Sequence, residues 1–160
     1  MSTAFDPAFD PAFDLMVERV VPVSAERAWT AWTEPEHVRR WYAPAPGDMS
    51  DCEIDLRPGG VFRFVPRQPD GTENPITCCY LEIVPFRRLV WTNALRPGYR
   101  PAPDGFFTAV MTLDPVGDAT RCRTVAMHRS EDDRAQHEAM GFHDGWGTVL
   151  DQLVTYAPSV

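Results

Sequence analysis

The spacing of apolar and polar residues along the chain changes period several times. Over 13–21, Phe13, Leu15, Val17, Arg19 and Val21 occupy alternate positions, the period of a strand with one buried face. Pro22 ends it. Ser24 then suits a helix N-cap and Glu26 a first turn, so 25–33 reads as a short helix burying Ala28, Trp29 and Trp32. Pro35 fits the first position of a second short helix that runs to about Tyr42, with Val38, Trp41 and Tyr42 on one side, before the segment APAPG at 43–47 stops it. From Cys52 the period returns to two. Cys52, Ile54 and Leu56 alternate with charged residues, Pro58-Gly59-Gly60 turns the chain, and 61–65 comes back with Phe62 and Phe64 on one face. After a turn at Pro69-Asp70-Gly71, the strand 76–84 carries Ile76, Cys78 and Tyr80 on one face and Cys79, Leu81 and Ile83 on the other. A corner at 85–88 leads to a strand 89–94 holding Trp91, then a loop 96–105, then a last hairpin of 106–113 and 121–128.

The stretch 132–157 changes period again. At about 100° per residue, Ala135, Ala139, Phe142, His143, Trp146, Val149, Leu150, Leu153 and Ala157 fall within roughly 60° of one line, which predicts a long amphipathic helix. Asp132 and Asp133 suit its start and Pro158 its stop. Gly141, Gly145 and Gly147 each cost about 1 kcal/mol in a helix interior relative to alanine. They admit two readings: close approach by other elements, or a helix thinned beside a cavity. A helix with so wide a stripe needs a sheet against it. The order of strand, two short helices, six-strand antiparallel meander and long helix therefore predicts an α+β helix-grip fold, a curved sheet of about seven strands wrapped around the last helix. One domain covers 12–160. Residues 1–11, part of the repeat FDPAFDPAFD at 5–14, read as a flexible arm whose Phe5 and Phe9 are candidates for docking on the body or in a homodimer contact.

Composition narrows the function classes. A net charge of −8 argues against a nucleic-acid binder or a protein drawn to an anionic membrane. All 15 basic residues are arginine, which removes Schiff-base chemistry and a P-loop. The absence of a signal layout or an apolar run of membrane length gives a cytoplasmic expectation, and Cys52, Cys78, Cys79 and Cys122 then read as reduced core thiols. No cysteine or histidine spacing suits a metal, and neither a G-x-S-x-G nor a G-x-G-x-x-G motif occurs, so no cofactor is expected.

The segments VSAERAWTAWTEPEHVRRWYAP (23–44), LRPGGVFRF (56–64), YLEIVPFRRLVWT (80–92) and GFHDGWGTVLDQL (141–153) together resemble, in the same order, blocks of the activator-of-Hsp-90-ATPase-homologue family within the START-like, Bet v 1-like superfamily. Glu34 departs from the pattern, where an aspartate more usually caps the helix before the proline. The resemblance implies a helix-grip fold with a cavity between the long helix and the sheet. It implies several trades: binding of apolar small molecules, a chaperone-linked interaction module, or polyketide-cyclase-like catalysis. Co-chaperone members carry an additional N-terminal domain, for which the stretch before Phe13 leaves no room.

The inner faces supply the candidate cavity walls: Trp41, Phe62, Phe64, Tyr80, Trp91, Met111, Met127, Trp146 and Leu150, with His143 as a polar anchor. A filled core of the same residues is the competing reading. Glu82 shares the phase of Tyr80 and Cys78, so Glu82 and His143 are the acid/base candidates. The alternative for Glu82 is an ion pair with Arg87 or Arg88, and for His143 a hydrogen-bonded place in the core. His37 and His137 read as solvated, and His128 as a strand-end residue within reach of the cavity mouth. The expected partner is a small apolar or aromatic molecule.

Overall fold

The computed structural model describes residues 7–160; Phe5 lies outside them. The elements are β1 (Asp14–Val21), α1 (Ala25–Thr33), α2 (Pro35–Trp41), β2 (Asp48–Ile54), β3 (Val61–Arg67), β4 (Ile76–Val84), β5 (Arg88–Thr92), β6 (Leu95–Arg96), β7 (Arg100–Pro101), β8 (Thr108–Val116), β9 (Ala119–Met127), α3 (Glu131–Ala139) and α4 (Phe142–Tyr156). Seven strands form one antiparallel sheet in the order β1-β9-β8-β5-β4-β3-β2. The meander runs from β2 to β9, and β1 closes beside β9 in unbroken register from Asp14↔Met127 to Val21↔Thr120. Within the loop expected at 96–105, β6 and β7 pair over two residues each.

The predicted alternation places the core. Leu15, Val17 and Val21 of β1, Phe62 and Phe64 of β3, Leu89 and Trp91 of β5, and Ala109, Met111 and Leu113 of β8 are buried against the helices. Ser24 caps α1 by accepting a hydrogen bond from the Arg27 amide. Glu34 makes no side-chain cap bond to α2, so the proline at its first turn carries that start. Leu56 departs from its expected strand: β2 ends at Ile54, and Leu56 is exposed.

Two departures have local causes. The helix expected over 132–157 is two helices. Gly141 takes φ +91°, a left-handed conformation that a side chain resists. Its amide bonds back to Glu138 O while its own carbonyl starts α4 by accepting from the Gly145 amide. The break leaves α3 with no buried residue, so Ala135 and Ala139 lie exposed instead of on the stripe. The second departure is a β-bulge between Tyr80 and Glu82. It adds one residue to β4 and flips the phase beyond it. Glu82 therefore pairs across from Val90 on the outer face, and Ile83 pairs with the inward Leu89.

Replacing Gly141 by alanine forces a Cβ into the left-handed region, at about 1–2 kcal/mol. Gly141→Ala is expected to lower the unfolding free energy by that amount, read as a lower urea midpoint with an unchanged m-value. An unshifted midpoint would mean that the break does not depend on the glycine.

Candidate functional site

Tyr42, the residue that ends α2, lies at the centre of the inner space. Its ring centroid is 5.6 Å from Trp32, 5.2 Å from Trp41, 5.7 Å from Phe62, 5.0 Å from Phe64 and 5.1 Å from Trp146. Behind it Phe62 stacks on Tyr80 at 5.4 Å and meets Trp91 edge-on at 5.6 Å. Gln152 of α4 holds the chain on both sides of Tyr42: its Nε2 donates to Trp41 O and Ala43 O, and its Oε1 accepts from the Ala45 amide.

These rings fill most of the space between helix and sheet. What stays open is an apolar pocket of about 230 Å³ beside the α3–α4 break. Tyr42, Pro44, Phe64, Pro66 and Ile76 form one wall, and His137, Met140, Gly141, Phe142, Gly145, Trp146 and Val149 the other. Gly145 faces it without a side chain, and a Cβ built there meets nothing within 4 Å. Gly147 has a different reason, since a Cβ there lies 3.2 Å from the guanidinium of Arg19, which pairs with Asp151 at 2.8 Å. Both readings of the glycine set therefore apply, to different residues. Met140 at the rim is 70% exposed, an adaptable apolar side chain at an opening.

The expected wall residues divide by position. Phe64 and Trp146 line the pocket, while Trp41, Phe62, Tyr80, Trp91, Met111 and Leu150 are buried core behind it. Met127 is corrected to the outer face: inward positions of β9 are Thr120, Cys122, Thr124 and Ala126, and Met127 lies one residue out of that phase. His143 is corrected to the surface. It stands in the first turn of α4, where its exposed ring meets the Glu138 carboxylate at 3.0 Å. Glu82 is corrected to the outer face by the bulge and pairs with Arg88 at 3.2 Å. There Pro7–Phe9 help to wall an open groove of about 690 Å³ lined both by apolar Val110, Val125 and Met127 and by Arg87, Arg88, Arg123 and Asp114.

Two polar features go beyond the sequence expectations for Tyr80 and His128. The hydroxyls of Tyr42 and Tyr80 are buried without a hydrogen-bond partner, and burial holds both phenols well above their ordinary pKa, so each is a neutral donor. An unmatched buried polar group costs about 1–3 kcal/mol. The second feature is a histidine pair. His128 Nδ1 lies 2.8 Å from Phe13 O, and its Nε2 lies 2.7 Å from His137 Nδ1. His137 sits among Phe106, Phe142 and His128, with ring centroids 5.0–5.1 Å away. Burial, aided by His128, lowers its pKa to about 4. The phase of one continuous helix puts His137 on the polar face; the break at Gly141 turns it toward Phe106 and Phe142 instead.

The thiols offer no nucleophile. Burial pushes Cys52 and Cys122 up to about 12 and Cys78 higher still, and all four cysteines are unpaired and buried. Among the described residues, no helix is long and apolar enough to cross a membrane. Glu34, Glu36 and His37 form the one cluster of three ligand-type side chains found there; it lies on the surface, and His37 is engaged by the Tyr156 hydroxyl at 2.7 Å.

Residues 22–157 match the family model described as Activator of Hsp90 ATPase homolog 1-like protein. A crystal structure of a protein from Nitrosomonas europaea shares 42% identity and superposes with a TM-score of 0.91, covering 94% of this chain and 97% of that one. A Rhodobacter sphaeroides protein at 18% identity, covering 96% and 97%, gives a TM-score of 0.81. An AHSA1-like protein from Aeromonas hydrophila, also at 18%, covers 91% and 92% with a TM-score of 0.70. A search of curated proteins finds no match.

Gln152→Ala removes three hydrogen bonds around Tyr42 and is expected to destabilise the fold by about 1–3 kcal/mol in chemical denaturation, with a change in near-ultraviolet circular dichroism as the rings loosen. His137 gives a pH signature. The unfolded chain takes up its proton near the ordinary histidine value of 6.5, whereas the folded one resists down to about 4. Stability is therefore lost as pH falls through that window. The melting temperature of the native protein should drop across it by more than that of His137→Phe; parallel pH profiles would contradict the burial of this ring.

Proposed function

The chain belongs to the Activator of Hsp90 ATPase homolog 1-like family, and from that premise we propose that it binds a small aromatic or other apolar molecule in the pocket beside the α3–α4 break. The observation that carries this reading is the pairing of an unfilled apolar space of about 230 Å³ with a glycine, Gly145, on its wall. A helix interior disfavours glycine by about 1 kcal/mol relative to alanine. Here alanine would meet no obstacle, so local packing gives no reason for the glycine, whereas an occupant of the pocket does.

Volume restricts the ligand. Drug-sized sites run from about 300 to 1,000 Å³, and a dry cavity of about 150 Å³ accommodates benzene. A space between those limits suits a one- or two-ring molecule and is too small for a folded polyketide chain. The cyclase-like alternative also loses both acid/base candidates, with Glu82 on the outer face and His143 in solvent.

Gly145→Leu tests the reading because it moves stability and binding in opposite directions. Leucine restores helix propensity worth about 1 kcal/mol while its side chain occupies the pocket. The variant should melt at or above the native temperature and lose the binding of 2-naphthol followed by NMR titration. Native mass spectrometry of the purified protein should likewise show an apolar adduct that the variant lacks. Binding unchanged in Gly145→Leu would place the ligand elsewhere and sink the proposal.

A further inference from the structure

A carbonyl oxygen carries no proton, so the 2.8 Å contact between Phe13 O and His128 Nδ1 makes that ring nitrogen the donor. The same carbonyl accepts from the His128 amide at 3.1 Å, which fixes the ring's position. In a neutral imidazole whose Nδ1 carries the proton, Nε2 bears a lone pair. The 2.7 Å contact from this Nε2 to His137 Nδ1 then requires the proton on His137 Nδ1. The chain of constraint ends at His137 Nε2, which is left as a bare acceptor on a ring that lines the pocket. Burial among aromatic rings, with a second histidine in contact, disfavours a proton there.

Resting on the pocket reading above, we infer that His137 Nε2 is the pocket's hydrogen-bond acceptor and that the ligand class is a neutral hydroxyl-bearing aromatic, a phenol or naphthol, rather than a carboxylate or a plain hydrocarbon. A phenol donates to the lone pair and places its ring against Phe142 and Trp146. A carboxylate has only acceptors and would meet the lone pair unless His137 took up a proton, which its surroundings oppose. A hydrocarbon fills the space but leaves Nε2 without a donor. His128 touches no ligand here. It is a positioning residue that selects the tautomer of its neighbour, as second-layer partners do for other functional histidines.

The assignment has a readout independent of any ligand. Long-range proton–nitrogen NMR of the full chain at neutral pH should show a protonated, pyrrole-type Nδ1 and an unprotonated, pyridine-type Nε2 on His137. The opposite pattern overturns the inference. For binding, 2-naphthol, naphthalene and 2-naphthoate are compared by NMR titration. The native protein should bind 2-naphthol about tenfold more tightly than naphthalene, the size of one neutral hydrogen bond, with 2-naphthoate the weakest. In His137→Phe, which replaces one flat ring by another among phenylalanines, naphthalene binding should persist while the naphthol advantage disappears. In His128→Leu, with the tautomer released, the advantage should shrink. Equal affinity for naphthol and naphthalene in the native protein, or an advantage that survives His137→Phe, overturns the role of His137 and leaves the pocket reading standing. Failure of all three compounds to bind removes the pocket reading and this inference together.

Discussion

Tyr42 packs against five aromatic rings drawn from four elements, Trp32 of α1, Trp41 of α2, Phe62 and Phe64 of β3, and Trp146 of α4, so one side chain ties the short helices, the sheet and the last helix into a single core. Mostly edge-on rings at these separations contribute about 0.5–1.5 kcal/mol per pair beyond area burial. The position of Tyr42 is itself set by backbone. The Trp41 indole donates to Ala31 O, and Gln152 grips the carbonyls on both sides of Tyr42. The cluster fills the space between the short helices, β3 and α4, and the pocket lies at its edge against Tyr42, Phe64 and Trp146.

That arrangement explains why the pocket is small and off-centre. A continuous helix over 132–157 would have laid its stripe along the whole sheet. The turn at Gly141 detaches α3, keeps only α4 in the groove, and leaves the last part of the groove covered by Met140 and His137 instead of by a packed helix turn. Three features of the sequence at this place act together: a left-handed glycine, a glycine without a side chain one turn later, and a flexible methionine at the rim. Each is neutral or unfavourable for a helix, and together they open a space.

Much of the architecture was legible in the sequence because it rests on periodicity. Alternation in β1 and β3, the strand and hairpin signals of β5, β8 and β9, the serine cap of α1 and the proline start of α2 are local signals, and they correspond to the elements found. The site was less legible, for physical reasons that can be named. A bulge inserts a single residue, and nothing in the composition of 80–82 announces it, yet it carries Glu82 from the inner face to the outer. Met127 and Ala126 are both apolar, so pattern alone does not say which one faces in. His143 keeps the phase of Leu150, but phase describes a helix and not how far the sheet extends beneath it. His137 was misplaced by the complementary error, since a helix that breaks at Gly141 no longer shares one polar face from end to end. Tyr42 was visible as an inward residue of α2, but its central role depends on five long-range contacts that no local pattern encodes.

The polar groups inside this apolar fold are of two kinds, and the difference separates structure from function. Gln152 is matched to the backbone around Tyr42 by three hydrogen bonds and fixes geometry. The hydroxyls of Tyr42 and Tyr80 are unmatched. A core selected for stability alone would use phenylalanine at 42 and 80, because the ring contacts would survive and the desolvation cost of each hydroxyl would vanish. The two buried hydroxyls are thus retained against stability, and the histidine ring on the wall of the apolar space makes sense if a bound molecule meets it. Its rings would continue the aromatic packing that Tyr42 begins, and its polar atoms would supply the partners that the chain itself withholds.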